Sequence, residues 1–373
     1  MKKEKLMNKK IVIDARMIND SGIGTYLKNI VPFFIKKFNV VLLGDKKKLN
    51  IFKGVGNFTI IKFDAKIYSF KEQILYSLLI PKCDVFWAPH FNSPFFSIKA
   101  KKIITTIHDV NHLAFDSGMN KVKKMYANQL YKNSVKNSCK IITVSNFSKN
   151  EIKKHLKINN IKIDVIYGGV NSCFFKETPI TNSIELPNKY ILFVGNIKPH
   201  KNLITLLKAF SKLNDDFRKE YKLLILGKKE GFITPDKEVF SFIEKNKLEK
   251  DVIFTGYIND EFMPEVYSKA SLFVFPSLYE GFGLPLLESM ASKTVVLTSN
   301  KTSLPEIGLD NVLYFHPLKV EELKEQILRI LNDKKLQDSY INKAYNYSKS
   351  FSWEKSALKH ISLFEKILTH EES

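Results

Sequence analysis

The chain is poor in the residues that punctuate or staple a fold. Of its 373 residues only 15 are Gly and 13 are Pro, which excludes a collagen-like, low-complexity or largely disordered protein. Cys83, Cys139 and Cys173 are odd in number, far apart and in no Cys-x-x-Cys pair. Neither a disulfide framework nor a zinc cluster is expected from them, and a reducing cytoplasm fits. No uninterrupted apolar run approaches the roughly 18 residues that span a bilayer, so any membrane contact is expected to be peripheral. The N-terminus is basic like a signal peptide, but the run Ile11-Val12-Ile13 stops at Asp14, too short for secretion.

Acidic residues are scarce in one half only. Residues 1–180 hold 32 Lys/Arg against 12 Asp/Glu, whereas residues 181–373 hold 27 against 26, so nearly all of the net charge of +21 lies in the first half. A Lys-rich composition used for solubility would raise both halves. The asymmetry instead suggests a first half that faces a polyanion, either an anionic membrane surface or a nucleic acid.

What is present is a regular alternation of short apolar runs and longer amphipathic stretches, the pattern of parallel strands covered by helices. The class is α/β. Strands are expected at 11–13, 40–43, 85–87, 103–107, 141–144 and 164–166, with helices over 24–38, 121–138 and 148–156, a complete doubly wound domain. The polar stretch 178–183 reads as a linker, and a second sheet follows at 190–194, 222–226, 252–255, 272–275, 294–297 and 313–315. The expected domains are 1–180 and 186–350, and residues 351–373 are expected to form a helix crossing back to the first. There is no internal repeat at solenoid periods. Two such domains facing across a cleft suit an enzyme that brings a nucleotide-bearing donor to a second substrate. On the charge split, the basic domain would take the acceptor and the near-neutral one the donor.

The most informative stretch is Phe275-Pro276-Ser277-Leu278-Tyr279-Glu280-Gly281-Phe282-Gly283-Leu284-Pro285-Leu286-Leu287-Glu288. A strand empties into a glycine loop and a helix with Pro285 in its first turn, an arrangement that receives phosphate oxygens. Glu288, expected in that first turn, could accept two hydrogen bonds from a vicinal diol such as a ribose. Glu280 precedes the loop at the same mouth. Helix capping alone explains neither the two glycines nor the second carboxylate. His108 follows the run 103–107 and so belongs at the C-terminal end of a strand, where α/β domains bind ligands; His90 competes for the same task. Gly22 and Gly24 stand between a strand and a helix expected near Thr25, which suits a tight turn or a phosphate or acceptor contact. Lys121, Lys123, Lys124, Lys132, Lys136 and Lys140 share a segment with Met125, Tyr126, Leu130, Tyr131 and Val135 at roughly helical spacing. That segment reads either as a membrane-surface helix or as an ordinary surface helix with its apolar face in the core.

Pro-Ser-x-x-Glu-Gly-Phe-Gly-Leu-Pro-x-x-Glu resembles the signature of the family-4 retaining glycosyltransferases of the GT-B fold, and the resemblance runs along nearly the whole chain. Ser21-Gly22-Ile23-Gly24-Thr25-Tyr26 is similar to the family's N-terminal glycine loop and Thr106-Ile107-His108-Asp109 to its histidine segment. Thr143-Val144-Ser145-Asn146-Phe147-Ser148 is similar to the next strand end, Gly195-Asn196-Ile197-Lys198-Pro199-His200-Lys201-Asn202 to the diphosphate-binding strand end, and Phe351-Ser352-Trp353 to the start of the closing helix.

The resemblance implies that Glu280 lies beside the donor sugar, that Glu288 holds the nucleotide ribose, and that Lys201 neutralises the donor diphosphate. It also implies that His108 hydrogen-bonds the donor sugar. Asn196 and His200 occupy places where many relatives carry an arginine, which makes His200 a candidate second cation. Gly22, Gly24, Asn196, His200, Gly281, Phe282, Gly283 and Leu284 complete the expected donor-binding set. No Asp-x-Asp occurs, so no cofactor or metal is expected; the nucleotide sugar is a substrate. With no acid and base carboxylates arranged for double displacement, retention would require front-face departure and attack.

Asp84-Val85-Phe86-Trp87-Ala88-Pro89-His90 and Thr106-Ile107-His108-Asp109 look most like mannosyl- or rhamnosyl-type enzymes of bacterial surface-polysaccharide assembly. The expectation is transfer of a hexosyl unit, first of all mannosyl from GDP-mannose, to a saccharide acceptor, lipid-linked, at the cytoplasmic face of the membrane. An epimerase or phosphorylase of related fold is the nearest enzymatic rival. A nucleic-acid-binding protein is a more distant one, because aromatics such as Phe86 and Trp87 lie in strand contexts and should be buried rather than stack on bases.

Overall fold

The computed structural model describes residues 6–115, 121–158, 163–176, 184–227 and 237–369. Two compact units divide the chain: Met1–Ala114, Asn120–Gly169 and Trp353–Ser373 form the first, and Phe115–Met119 with Val170–Ser352 the second. The boundary expected at 180 moves back to Gly169. Val170 donates its amide to the Phe351 carbonyl, and the Phe174 ring meets Tyr267 at 5.8 Å, so residues 170–176 pack with the second unit. The expected linker 178–183 lies outside the described residues.

The first unit is built on a parallel sheet of β1 (Lys10–Asp14), β2 (Asn39–Gly44), β3 (Phe58–Lys62), β4 (Cys83–Ala88), β5 (Ala100–Thr106), β6 (Lys140–Thr143) and β7 (Ile163–Val165). Its spatial order is β3-β2-β1-β4-β5-β6-β7. Val12 sits between Val41 and Phe86, and all three are buried, as strands covered on both faces require. Strand β3 was not expected: it is the sheet's edge, with no fully buried residue.

The Ser21–Ile35 helix buries Tyr26, Leu27, Ile30, Val31 and Phe34, an i, i+1, i+4, i+5, i+8 stripe. The Trp353–Thr369 helix packs against it. Phe364 meets Phe34 edge to face at 4.8 Å, and His360 Nε2 accepts from the Tyr26 hydroxyl at 2.5 Å while its Nδ1 donates to the Ser356 carbonyl.

The second unit repeats the plan with β8 (Tyr190–Val194), β9 (Lys222–Leu226), β10 (Val252–Gly256), β11 (Leu272–Phe275), β12 (Val296–Ser299) and β13 (Leu313–Phe315), in the order β10-β9-β8-β11-β12-β13. Ile191, Phe193, Ile225, Val274 and Leu297 form its core with Leu206, Phe210 and Ile327 from the covering helices. Both units are therefore Rossmann-like and doubly wound, as the alternating pattern required. In each, the strand order changes direction between two neighbours, β1 and β4 in the first and β8 and β11 in the second. Beyond the C-terminal ends of such strands the crevice for a ligand opens.

Candidate functional site

In the second unit the loops after β8, β11 and β12 are tied into one assembly. Lys201 Nζ lies 2.6 Å from Glu280 Oε1, with both side chains largely shielded from solvent. The ammonium also stands over the Phe275 ring, 5.6 Å from its centroid. An ammonium has three donors, and Glu280 takes one. Glu280 is itself held by its backbone: its N–H donates to Thr302 Oγ1 at 3.2 Å, and Ser303 Oγ donates to the carbonyls of Glu280 (3.0 Å) and Phe282 (3.1 Å).

Asn202, in the left-handed conformation at φ 56°, donates from Nδ2 to the carbonyls of Pro276 (3.0 Å) and Pro317 (2.8 Å). Its Oδ1 accepts from Thr205. The Leu278 amide donates to the His200 carbonyl, and the His200 ring meets the Phe115 ring of the same unit at 6.1 Å. Asn196 follows Gly195, whose amide donates to the Leu226 carbonyl. A Cβ on Gly227 would stand 2.1 Å from the Gly195 carbonyl oxygen, so the β8 and β9 ends approach as only a glycine allows.

The glycine loop ends where expected. Gly283 has φ +106°, and a Cβ there would meet Leu304 Cδ2 at 2.9 Å, so geometry as well as contact demands glycine. Gly281 and Phe282 are buried, and Leu284 opens the Leu284–Ala291 helix. Glu288 lies in the second turn of that helix rather than the first, because the helix begins after the glycine loop. It accepts a hydrogen bond from the Tyr267 hydroxyl at 2.9 Å. Burial pushes its carboxyl up to about 7, and that hydrogen bond only partly offsets the effect.

In the first unit His108 stands two residues past β5. Its Nε2 must donate to the Pro89 carbonyl at 2.9 Å, since a carbonyl only accepts, which leaves the lone pair on Nδ1. Burial lowers its proton affinity and favours the neutral ring. The Tyr26 ring packs edge to face on it at 5.0 Å. His90, at the end of β4, contacts the Tyr68 hydroxyl through Nε2 at 3.2 Å, and burial drives its pKa down to about 3.

Gly22 and Gly24 do not precede their helix; they sit inside its first turn. The helix starts at Ser21, and the Gly24 amide bonds to the Asp20 carbonyl at 2.6 Å. A Cβ on Gly24 would lie 2.4 Å from the Ile18 carbonyl, whereas Gly22 has open space around it. The 121–140 segment divides its character. Leu130, Tyr131 and Val135 enter the core, while Val122, Met125 and Tyr126 at the helix's N-terminal end face solvent beside Lys121 and Lys123.

Asn202, Tyr267, Thr302 and Ser303 escaped sequence reasoning as functional residues. Only Asn202 carried a local signal, an Asn directly after a Pro-x-x turn.

The family profile for glycosyltransferase family 4 matches residues 21–172, and the profile for group 1 glycosyl transferases matches residues 175–347. The O-antigen chain mannosyltransferase B of Escherichia coli is 30% identical over 290 residues, covering 75% of this chain and 74% of that protein. The O-antigen chain mannosyltransferase RfbU of Salmonella typhimurium is 29% identical over 242 residues, covering 65% and 63%. Among solved structures, sucrose-phosphate synthase from Thermosynechococcus elongatus superposes with a TM-score of 0.77 at 16% identity, covering 97% of this chain and all of that one. WaaG, a glycosyltransferase involved in lipopolysaccharide biosynthesis, gives 0.72 at 15% identity over 95% of this chain and 99% of that one. Taken with the glutamates of the Glu280–Glu288 stretch and Lys201 at the β8 and β11 ends, these matches place the chain in the family-4 glycosyltransferases of the GT-B fold.

Proposed function

We propose that the enzyme transfers a mannosyl unit from GDP-mannose, with retention of configuration, to a lipid-linked saccharide during cell-surface polysaccharide assembly. The observation that carries this reading is the Lys201–Glu280 pair, clamped by Thr302 and Ser303 where β8 and β11 diverge. Cleavage of a sugar–phosphate bond leaves charge on the departing diphosphate. The remaining donors of Lys201 and the N-terminus of the Leu284–Ala291 helix are the groups that would stabilise it. His200 and Asn196 border the same loop, and the Glu288 carboxylate would accept the ribose hydroxyls. Glu280 would lie along the donor sugar, and the Nδ1 lone pair of His108 would accept a hydrogen bond from a sugar hydroxyl. With no Asp-x-Asp in the sequence, Lys201 takes the part that a divalent metal would otherwise play, and no cofactor enters the reading. The mannosyl donor and the polysaccharide product rest on the named relatives.

A panel of nucleotide sugars screened for thermal stabilisation tests the donor. GDP-mannose at 100 times its dissociation constant should add about 2.7 kcal/mol. Stabilisation by another nucleotide sugar alone would replace the donor, and epimerisation or phosphorolysis of the bound sugar would replace the reaction.

The same reading places the enzyme peripherally on the inner, anionic membrane face. No helix among the described residues is long and apolar enough to cross a membrane. The lysine excess of the first 180 residues accompanies exposed apolar side chains at Val122, Met125 and Tyr126. The exposed ridge Phe70, Ile74 and Leu78 of the Phe70–Leu79 helix adds to them. Each lysine near an anionic leaflet contributes about 1 kcal/mol, decaying over a Debye length of about 8–10 Å. Because the Trp353–Thr369 helix completes the first unit, the test uses the whole chain. It should bind anionic vesicles, ignore zwitterionic ones and be released by about 1 M salt; indifference to lipid charge would remove the membrane from the proposal.

A further inference from the structure

In the first unit the buried Tyr26 ring is enclosed edge to face by four others: Trp87 at 6.0 Å, Trp353 at 6.3 Å, His360 at 5.4 Å and His108 at 5.0 Å. Trp87, Trp353 and His360 are buried, whereas His108 is half-buried. A chain of hydrogen bonds fixes the Tyr26 hydroxyl, and its two ends dictate the directions. The Ser356 carbonyl only accepts, so His360 Nδ1 carries the proton, and burial keeps that ring neutral. Its Nε2 lone pair therefore takes the Tyr26 hydrogen at 2.5 Å. At the other end the Trp87 indole only donates, to Thr106 Oγ1 at 3.0 Å. With its own hydrogen committed to His360, the Tyr26 oxygen accepts from Thr106 at 3.3 Å.

Packing alone does not ask for these polar groups. The same two helices meet elsewhere through Phe34 and Phe364, and apolar side chains at 26 and 360 would bury no hydroxyl or imidazole. What the network adds is direction, because a fully satisfied buried network admits one arrangement of its members. It joins residues 334 apart, and Thr106 stands two residues before His108 at the end of β5. The network thus holds both the ring beside His108 and the backbone that leads to it. The bond from His108 Nε2 to the Pro89 carbonyl fixes one corner of the imidazole. The Tyr26 ring, at 88° to it, blocks rotation about that corner.

We infer that Tyr26 and His360 are positioning residues: His360 fixes the Tyr26 hydroxyl, and the Tyr26 ring fixes the His108 imidazole with its Nδ1 lone pair held for a hydroxyl. The inference rests on the donor reading only for the identity of that hydroxyl, one of the nucleotide sugar's; the orientation of the ring stands on the first unit alone.

The test uses the intact chain with nitrogen-15-labelled histidines, the His108 signals being assigned with His108→Gln, and calorimetry with GDP-mannose and GDP. The wild type should carry the His108 proton on Nε2. Tyr26→Phe keeps the ring and drops its anchor. The freed imidazole should exchange tautomers, so that its two nitrogen signals move together, and GDP-mannose should bind roughly fivefold or more weakly while GDP changes less than about twofold. His360→Leu should do the same from the other end of the bond, and serves alone should Tyr26→Phe fail to fold. His360→Gln, whose amide oxygen can take the Tyr26 hydrogen, should stay within about twofold of the wild type. The double variant Tyr26→Phe/His360→Leu should bind GDP-mannose no more weakly than Tyr26→Phe, because both changes remove one interaction. A lower unfolding midpoint with unmoved His108 signals, or equal losses for GDP-mannose and GDP, would reduce the network to packing. Losses that multiply in the double variant would overturn the link through His360. A wild type with no affinity for GDP-mannose, whose His108 signals still move in Tyr26→Phe, would overturn the donor reading and leave the positioning standing.

Discussion

The two units share one architecture and carry opposite chemistry. Each places its candidate groups beyond the C-terminal ends of its central strands. In the first unit those groups are histidines whose burial keeps them neutral, His90 and His108, with His360 behind them. In the second they are an ion pair, Lys201–Glu280, and a carboxylic acid, Glu288, that burial keeps from ionising readily. The fold supplies the position; loop side chains decide the charge that the position carries.

The contrast breaks most visibly under pH. His360 is fully buried, and its pKa falls from an ordinary 6.5 to about 4, with burial as the main cause. A depressed folded-state value means stability that is present above pH 6.5 and lost as pH falls towards 4, on the order of 3 kcal/mol for His360, with His90 acting in the same sense. Glu288 runs the other way. Its value is raised from 4.5 to about 7, so its contribution is present below pH 4.5 and lost as pH rises through 7. The first unit should therefore fail as pH falls from 6.5 towards 4, and the second soften as pH rises from 4.5 to 7. Both tryptophans, Trp87 and Trp353, lie in the first unit, so their fluorescence reports it alone. The fluorescence transition should move to lower denaturant between pH 6.5 and 4, and His360→Leu should flatten that slope. Corrected for the intrinsic base-catalysed rate, the exchange protection of residues 284–291 should fall between pH 4.5 and 7 in the wild type and not in Glu288→Gln. A tryptophan transition insensitive to acid would end the comparison.

Lys201 sharpens the comparison from the ligand's side. Lys201→Ala should weaken binding of a nucleoside diphosphate by roughly 10- to 100-fold, the worth of about 1.5–3 kcal/mol for a charge-assisted hydrogen bond, and leave the bare nucleoside nearly unaffected. Calorimetry with GDP and guanosine reads the difference directly. Equal losses for both would mean that the lysine only holds Glu280 in place.

How much of this was legible follows from sequence distance. The strands Tyr190–Val194, Lys222–Leu226 and Leu272–Phe275 could be read to the residue because both faces are buried and the apolar run is continuous. Strand β3 escaped because an edge strand needs only half of that pattern. Strand β12 begins two residues later than the apolar pattern suggested, since Thr294 and Val295 are buried before the ladder starts. The Glu280–Glu288 loop was visible as a local motif. The groups that fix it were not: Ser303 reaches back 23 residues to the Glu280 carbonyl, Tyr267 stands 21 before Glu288, and Asn202 spans 74 to Pro276. The bond from Tyr26 to His360 is more distant still, spanning 334 residues.

The smallest effect separates two glycines that the sequence treats alike. Gly24 sits under the Ile18 carbonyl, so Gly24→Ala forces backbone and helix apart and should cost about 1–3 kcal/mol, read as a lower midpoint of the tryptophan transition. Gly22 has nothing within 4 Å of where its Cβ would be, and it is helical, so Gly22→Ala should stabilise by roughly 0.5–1 kcal/mol through helix propensity and a less flexible unfolded chain. If Gly22 serves only the helix, the alanine variant keeps full transferase activity along with its higher midpoint. If its bare backbone is kept for a close approach by substrate, the same variant should be more stable and less active. That split would assign to Gly22 the ligand contact that the packing of Gly24 alone explains without one.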